Sequence, residues 1–267
     1  MKRILLTFPI LLIALCTFSS GWHVTTRYYT IPSNQQKERT EEIYLHNGFM
    51  KMVNGNLTTI FNLNKSEITY INTNNKTYWS GNTSRFNKEV RTELEAQVER
   101  MLEEVEESKK EEMRSLYMEM IEASFPDPGA PPIKANEFNV TKIKSEKVSD
   151  FETVKYEITE SGLPLQTMWI SPELPIYKDF DFISLSDFLN QLASGAYAAS
   201  FEGSQEYFNL LEQGYPVKVE IRRGDGSMQI SEVQSAKRVS LDDSDFSIPN
   251  GYNSGTLTEV GVWDGYM

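Results

Sequence analysis

His23 and His46 are the only two histidines in the chain, and nothing near either has the HExxH spacing that seats zinc on one face of a helix. A serine–histidine–aspartate triad would have to use one of them. His23 sits beside an expected leader cleavage point. His46 precedes Asn47-Gly48, a turn dipeptide, so a turn role outweighs a general-base role. No G-x-S-x-G nucleophile elbow occurs. Asp242, Asp243 and Asp245 offer the oxygen ligands that Ca²⁺ takes, but without EF-hand spacing or its glycine, and a polar turn before a last strand is the stronger reading. Glu103, Glu104, Glu106 and Glu107 read as a solvated helix face rather than an acid/base pair. "RGDGS" is too short for a phosphate loop and falls in a hairpin. The usual catalytic constellations are missing, so the sequence predicts a non-enzyme with no catalytic residue, metal site or cofactor, and disfavours an envelope hydrolase.

The start of the chain concerns export. Lys2 and Arg3 precede an apolar run from Ile4 to Cys16, and Thr17, Ser19, Ser20 and Gly21 are small residues of the kind a signal peptidase accepts. Residues 1–21 are the expected signal peptide, cut after Gly21 or after Ser19, and the run is too short for an ordinary membrane span. Cys16, the single cysteine, has two readings. It is either apolar filler that leaves with the leader or a lipidated cysteine at the mature N-terminus, and Leu15 before it suits the second poorly. Without Cys16 the mature chain has no disulfide and no thiolate chemistry.

The net charge of the whole chain is −12. Loss of Lys2 and Arg3 leaves 24 basic against 38 acidic residues, near −14. That excludes the cation-driven affinity of nucleic-acid binders and electrostatic docking on anionic membranes. No long apolar run follows the leader, so no membrane span is expected in the mature chain.

The elements that would position a site fall into three stretches. From Val24 to about Gly81, short β-branched and aromatic runs alternate with Asn/Gly/Ser/Lys clusters, the pattern of an antiparallel meander. Residues 88–124 hold no proline or glycine. Val90, Leu94, Val98, Met101 and Val105 recur at helical spacing, as do Met113, Leu116, Tyr117, Met120 and Ile121. This predicts one amphipathic helix of about 55 Å at 1.5 Å per residue, with a break near Ser108-Lys109 unsurprising. A proline-rich connector at 126–137 stops it. Beyond it, "FNVTKIKSEKV", "FETVKYEIT" and "LQTMWIS" read as strands. "SLSDFLNQLASGAYAA", N-capped at Ser184 or Ser186, and "SQEYFNLLEQG", stopped by Gly214, read as helices. Asp225-Gly226 predicts a two-residue hairpin. "GLPLQTMWI" and "GYPVKVEI" each place a Gly-X-Pro corner before a strand.

"FNLNKSEITYINTNNKTYWSG" and the closing "GYPVKVEIRRGDGSMQISEVQSAKRVSLDDSDFSIPNGY", with its Phe246, Ile248, Pro249, Gly251 and Tyr252, resemble bacterial envelope proteins placed with the LolA/LolB-like lipoprotein-carrier fold. The resemblance implies an α+β domain over residues 22–267: a curved antiparallel sheet, or half-barrel, with the long helix and shorter helices across its concave side. It also implies that acyl chains are held between sheet and helices, with Met101, Met113, Leu116, Met120 and Ile121 on the lid side. Tyr70, Tyr78, Trp79, Trp169 and Phe182 complete the expected ligand-binding set as bulky interior residues. The longer acidic helix and the tail "NSGTLTEVGVWDGYM" depart from the carriers. The expected function is non-enzymatic binding of a hydrophobic ligand, a lipid or acylated protein, by an exported protein of a Gram-negative periplasm. The alternative is an interaction or structural protein with a filled core that uses its acidic helix face or C-terminal tail.

Overall fold

The structure is a computed structural model and describes residues 19–32, 38–125, 136–192 and 196–262. The meander is real: β1 (Ser19–Ile31), β2 (Arg39–His46), β3 (Phe49–Asn54), β4 (Leu57–Asn62), β5 (Glu67–Asn72) and β6 (Thr77–Asn82) pair in succession. Asn47 and Gly48, at φ 44° and 78°, form the tight turn between β2 and β3 that such dipeptides favour. The helical stretch becomes α1 (Thr83–Leu102) and α2 (Glu107–Ser124). Then come β7 (Phe138–Val148), β8 (Phe151–Glu160), β9 (Leu163–Ser171), α3 (Phe182–Leu192), α4 (Ala196–Ala199), α5 (Gln205–Leu211), β10 (Tyr215–Arg222), β11 (Met228–Leu241), β12 (Asn253–Ser254) and α6 (Leu257–Val260). Most of the expected connector, residues 126–135, lies outside the described residues.

Among the described residues twelve strands share one open sheet in the order β12-β6-β5-β4-β3-β2-β1-β11-β10-β9-β8-β7, all antiparallel except β12 on β6. The fold class is the expected one, α+β with an antiparallel sheet and helices across one face. The seam between the two halves is β1 against β11, paired from Ser19↔Leu241 to Ile31↔Met228. At the far edge β7 carries Lys142, Lys144, Glu146 and Lys147 and an irregular register at Lys142/Lys144, devices that discourage edge-to-edge pairing.

Alternation along the strands assigns two covered faces. On one, Trp22, Val24, Ile43, Leu45, Phe61, Ile68 and Trp79 pack with Val90 of α1, Leu185 and Phe188 of α3 and Leu257 and Val260 of α6. On the other, Ile60, Ile71 and Leu241 are covered by Phe246, Ile248 and Tyr252 from the closing segment. Cover on both faces explains the imperfect alternation of the meander. Leu257, Val260 and Val262 are core, so the tail is not a free arm as far as Val262.

Three local expectations change. The long helix is two helices folded into a hairpin, broken at Glu103–Glu106. Three carboxylates within four residues oppose the negative C-terminal end of α1. Turning there also lets Val105 join Leu102 in a small core with Val98 and Ile121. The second change is at α3, which starts at Phe182 with Asp181 rather than a serine at its cap, its Oδ1 accepting from the Ser184 amide at 3.0 Å. Lastly, the Asp225-Gly226 hairpin has a five-residue loop, closed by the Arg223 amide donating to the Ser227 carbonyl at 2.9 Å.

Candidate functional site

The ten residues expected to bind ligand do not form one site. Ile121 is buried and Met113 half-buried inside the α1–α2 hairpin, whereas Met101, Leu116 and Met120 are 43%, 55% and 58% exposed on its outside. The apolar stripe of the helical stretch is satisfied largely by its own second half, and α1 is the helix of the pair that lies against β5 and β6. Trp79 and Tyr70 are on the sheet face under α1, their rings against Phe86. Tyr78 points to the opposite face. Trp169 alternates with Met168 and Ile170; its indole N–H donates to Glu146 at 2.8 Å, and Lys155 and Lys218 lie over its ring. Phe182, edge-on to Phe180, lines a separate surface groove of about 390 Å³ with Tyr177, Ile183, Phe208 and Leu211, edged by Lys178, Asp179, Asp181 and Glu212.

The hairpin has two unlike sides. On one, Arg114 makes a two-pronged contact with Glu99 at 2.9 Å and Arg91 reaches Glu122 at 3.8 Å, tying α2 to α1. These pairs are solvent-exposed, so water screens them and they add little to stability. On the other, a groove of about 260 Å³ runs between the helices, lined by Leu94, Val98, Met101, Tyr117, Met120 and Ile121, with Gln97 and Ser124 its only polar residues.

A set of polar groups that the sequence reading missed, drawn from β1, β2, β10, α4 and α5, is linked by mutual electrostatics. Glu41 of β2 is 5% exposed, and the Tyr28 hydroxyl donates to its Oε1 at 3.2 Å. Burial raises the Glu41 carboxyl above the ordinary carboxylate range, opposed by Arg39 and by the Tyr28 hydrogen bond. Tyr215 is pushed up to about 12 by burial and by the Glu41 charge. Burial raises Tyr28 and, more strongly, Tyr207, which also senses Tyr215, Tyr197, Glu202 and Tyr28. Tyr197 is pushed up to about 12 by burial and Glu202. All four phenols are therefore neutral at physiological pH. No spacing signal could have found this set, because its members run from residue 28 to residue 215 on five separate elements and a 3₁₀ turn.

The other chemistry-bearing residues have structural partners. His46 ends β2, stacks near Phe246 at 6.0 Å and contacts the Asn47 amide nitrogen at 3.0 Å. Asp242 accepts from the Ser244 amide and Asp245 from the Asp242 amide, a capping box on the 3₁₀ turn Asp243–Phe246. His23 stacks on Tyr44 with rings 4.4 Å apart, and both contact Glu42. No helix among the described residues is long and apolar enough to cross a membrane.

No family model and no curated protein matches the chain. Among solved structures, an uncharacterized conserved protein from Thermus thermophilus is 7% identical, with a TM-score of 0.44 over 89% of this chain and 90% of that one. A putative outer membrane lipoprotein-sorting protein domain from Vibrio parahaemolyticus is 7% identical with a TM-score of 0.29, over 86% and 90% of the two chains. A LolA superfamily protein from Nitrosomonas europaea is 7% identical with a TM-score of 0.26, over 85% and 90%. The neighbours thus include the group that the sequence resembles. The scores are low, and the fold described above rests on its own topology.

Proposed function

We propose that this is an exported, non-enzymatic binding protein of the periplasm whose ligand is hydrophobic, the acyl chain of a lipid or of an acylated partner, and that the chain lies in the α1–α2 groove. The observation that carries this reading is the groove itself: a solvent-open cleft lined by six apolar side chains, with the exposed Met101 and Met120 at its lip. Methionine adapts to irregular apolar guests. Each methylene buried there contributes about 0.8 kcal/mol. The space between the sheet and α1 and α3 favours the groove over the interior as the seat, since Trp79, Phe61 and Phe188 fill it.

The leader belongs to the same reading, and the fold favours its cleavage after Ser19. Ser20 and Gly21 are ladder residues of β1, opposite Ser240 and Val239, and the Arg238 guanidinium donates to the Ser20 hydroxyl at 3.3 Å. Gly21 sits so close to its neighbours that a Cβ would stand 2.6 Å from the Leu45 carbonyl oxygen.

Native mass spectrometry of the exported protein, purified without detergent and followed by solvent extraction, tests both points. An extractable lipid mass at one per chain is expected, and Met120→Glu should abolish it. That substitution should leave stability within about 0.5 kcal/mol, as for other exposed positions. A protein that stays bare after incubation with membrane lipids would sink the acyl-chain reading and leave the groove to a protein partner. The same spectra read the N-terminus: a mature chain beginning at Trp22 would refute the cut after Ser19.

A further inference from the structure

An acyl chain seated in the α1–α2 groove leaves its polar end at the rim of the hairpin, and the charges of that rim do not balance. Between residues 99 and 116 every cation is already held. Arg100 meets Glu93 at 2.8 Å, Lys109 meets Glu106 at 3.0 Å, and Lys110 meets Glu107 at 2.9 Å. Arg114 meets Glu99 at 2.9 Å and Glu111 at 3.1 Å. The exposed carboxylates of Glu103, Glu104 and Glu112 have no hydrogen bond or ion pair among the described residues. Glu119, next to the lip residue Met120, is also free in this sense. Their positions relate to the groove. Met120, Leu116 and Glu112 follow one another at four-residue spacing, so they stand in one row along α2, apolar at the groove and acidic toward the hairpin turn. Glu103 and Glu104 open that turn directly after α1, just beyond Met101. The groove lining itself carries no charge. Burial of the chain therefore supplies affinity, and the rim supplies the choice between polar ends. Coulomb's law in water gives about a factor of two to three for each carboxylate roughly 8 Å from a unit charge. A few unpaired carboxylates together discriminate between headgroups of opposite sign.

We propose that the rim selects the cargo by charge: the groove takes the acyl chain of a lipid whose polar end is cationic, an amine-bearing lipid, and turns away free fatty acids and lipids with anionic headgroups. The proposal rests on the groove reading above and adds the class of cargo to it. The chain runs from Met101 toward Leu94 and Ser124, and the polar end lies at the hairpin turn beside Glu104 and Glu112. At about 260 Å³ the groove is smaller than the usual site for a drug-sized ligand, so it seats a single chain. Because the rim carboxylates are exposed, the selection depends on ionic strength. The screening length falls from about 10 Å at 0.1 M salt to about 3 Å at 1 M. The preference between headgroups fades over that range, whereas burial of the chain does not.

Three twelve-carbon probes separate the rim from the groove: dodecylammonium, dodecylphosphocholine and laurate. Each is titrated calorimetrically into the mature protein at neutral pH, below its micelle concentration. At low salt dodecylammonium should bind tightest, the zwitterion next and laurate weakest, with more than about tenfold between the first and the last. In molar salt that gap should shrink to within about threefold. Glu103→Gln, Glu104→Gln and Glu112→Gln combined should close most of the gap at low salt, and Met120→Glu should abolish binding of all three probes. The salt series on the unaltered protein carries the test if the triple variant does not fold. Failure of every probe to bind would refute the groove reading itself, and the rim proposal with it. Equal binding of the three, tighter binding of laurate, or a preference that neither salt nor the triple substitution changes would overturn the rim proposal and leave the groove reading standing.

Discussion

Trp79→Ala is expected to cost about 3–5 kcal/mol of stability, the range for removing a large aromatic from a packed core. Trp79 has no exposed surface and is the largest side chain so buried among the described residues. Its indole N–H donates to Glu89 Oε2 at 2.6 Å, the Arg85 guanidinium lies 5.3 Å from its ring, and Phe86 meets it edge-on at 5.8 Å. It therefore joins β6 to the first two turns of α1, and α1 is what anchors the hairpin to the sheet. Truncation leaves a cavity and strips Glu89 of a donor together. Denaturant unfolding checks this: the midpoint should fall with little change in slope. A loss below about 1 kcal/mol, the mean for an arbitrary substitution, would mean that Trp79 is not the joint described. Trp79→Phe should lose less, because the ring contacts with Phe86 and Tyr70 remain.

Gly214→Ala should destabilise by roughly 3 kcal/mol or more, combining backbone strain with overpacking. Gly214 links α5 to β10 at φ 152°, and a Cβ there would overlap the Ser171 carbonyl and stand 2.9 Å from the Pro172 Cα. Those atoms are backbone and cannot swing aside. Ser171 ends β9 and pairs with Tyr215, so relief would require opening β9–β10 beside the tyrosine cluster. Gly162, in the other Gly-X-Pro corner, is an internal control. Its φ is 81° with nothing within 4 Å of a Cβ, so Gly162→Ala should show only the backbone penalty, about 1 kcal/mol. Equal losses at the two glycines would show that the contact with Ser171 does not set the cost.

What the sequence by itself determined was local. Asn47-Gly48 adopts the positive φ pair that its residue types favour, and the β-branched runs at 39–46, 57–62, 138–148 and 151–160 are strands, because dihedral preference and two-residue alternation act within a few residues. The apolar stripe of residues 88–124 marked one buried helical face in the same way. It could not say what that face would be buried against. A 3.6-residue period is equally satisfied by a sheet or by another helix, and the hairpin that α1 and α2 form took Ile121 and Met113 inward and left Met101, Leu116 and Met120 outside. Alternation likewise told strands from helices but not that both sheet faces would be covered. That depended on the closing segment bringing Phe246 and Tyr252 over Ile60 and Ile71. The tyrosine–Glu41 cluster was decided by tertiary structure alone. Tyr28 meets Glu41 only because β1 pairs with β2, and nothing in the spacing of those residues along the chain encodes their distance in space.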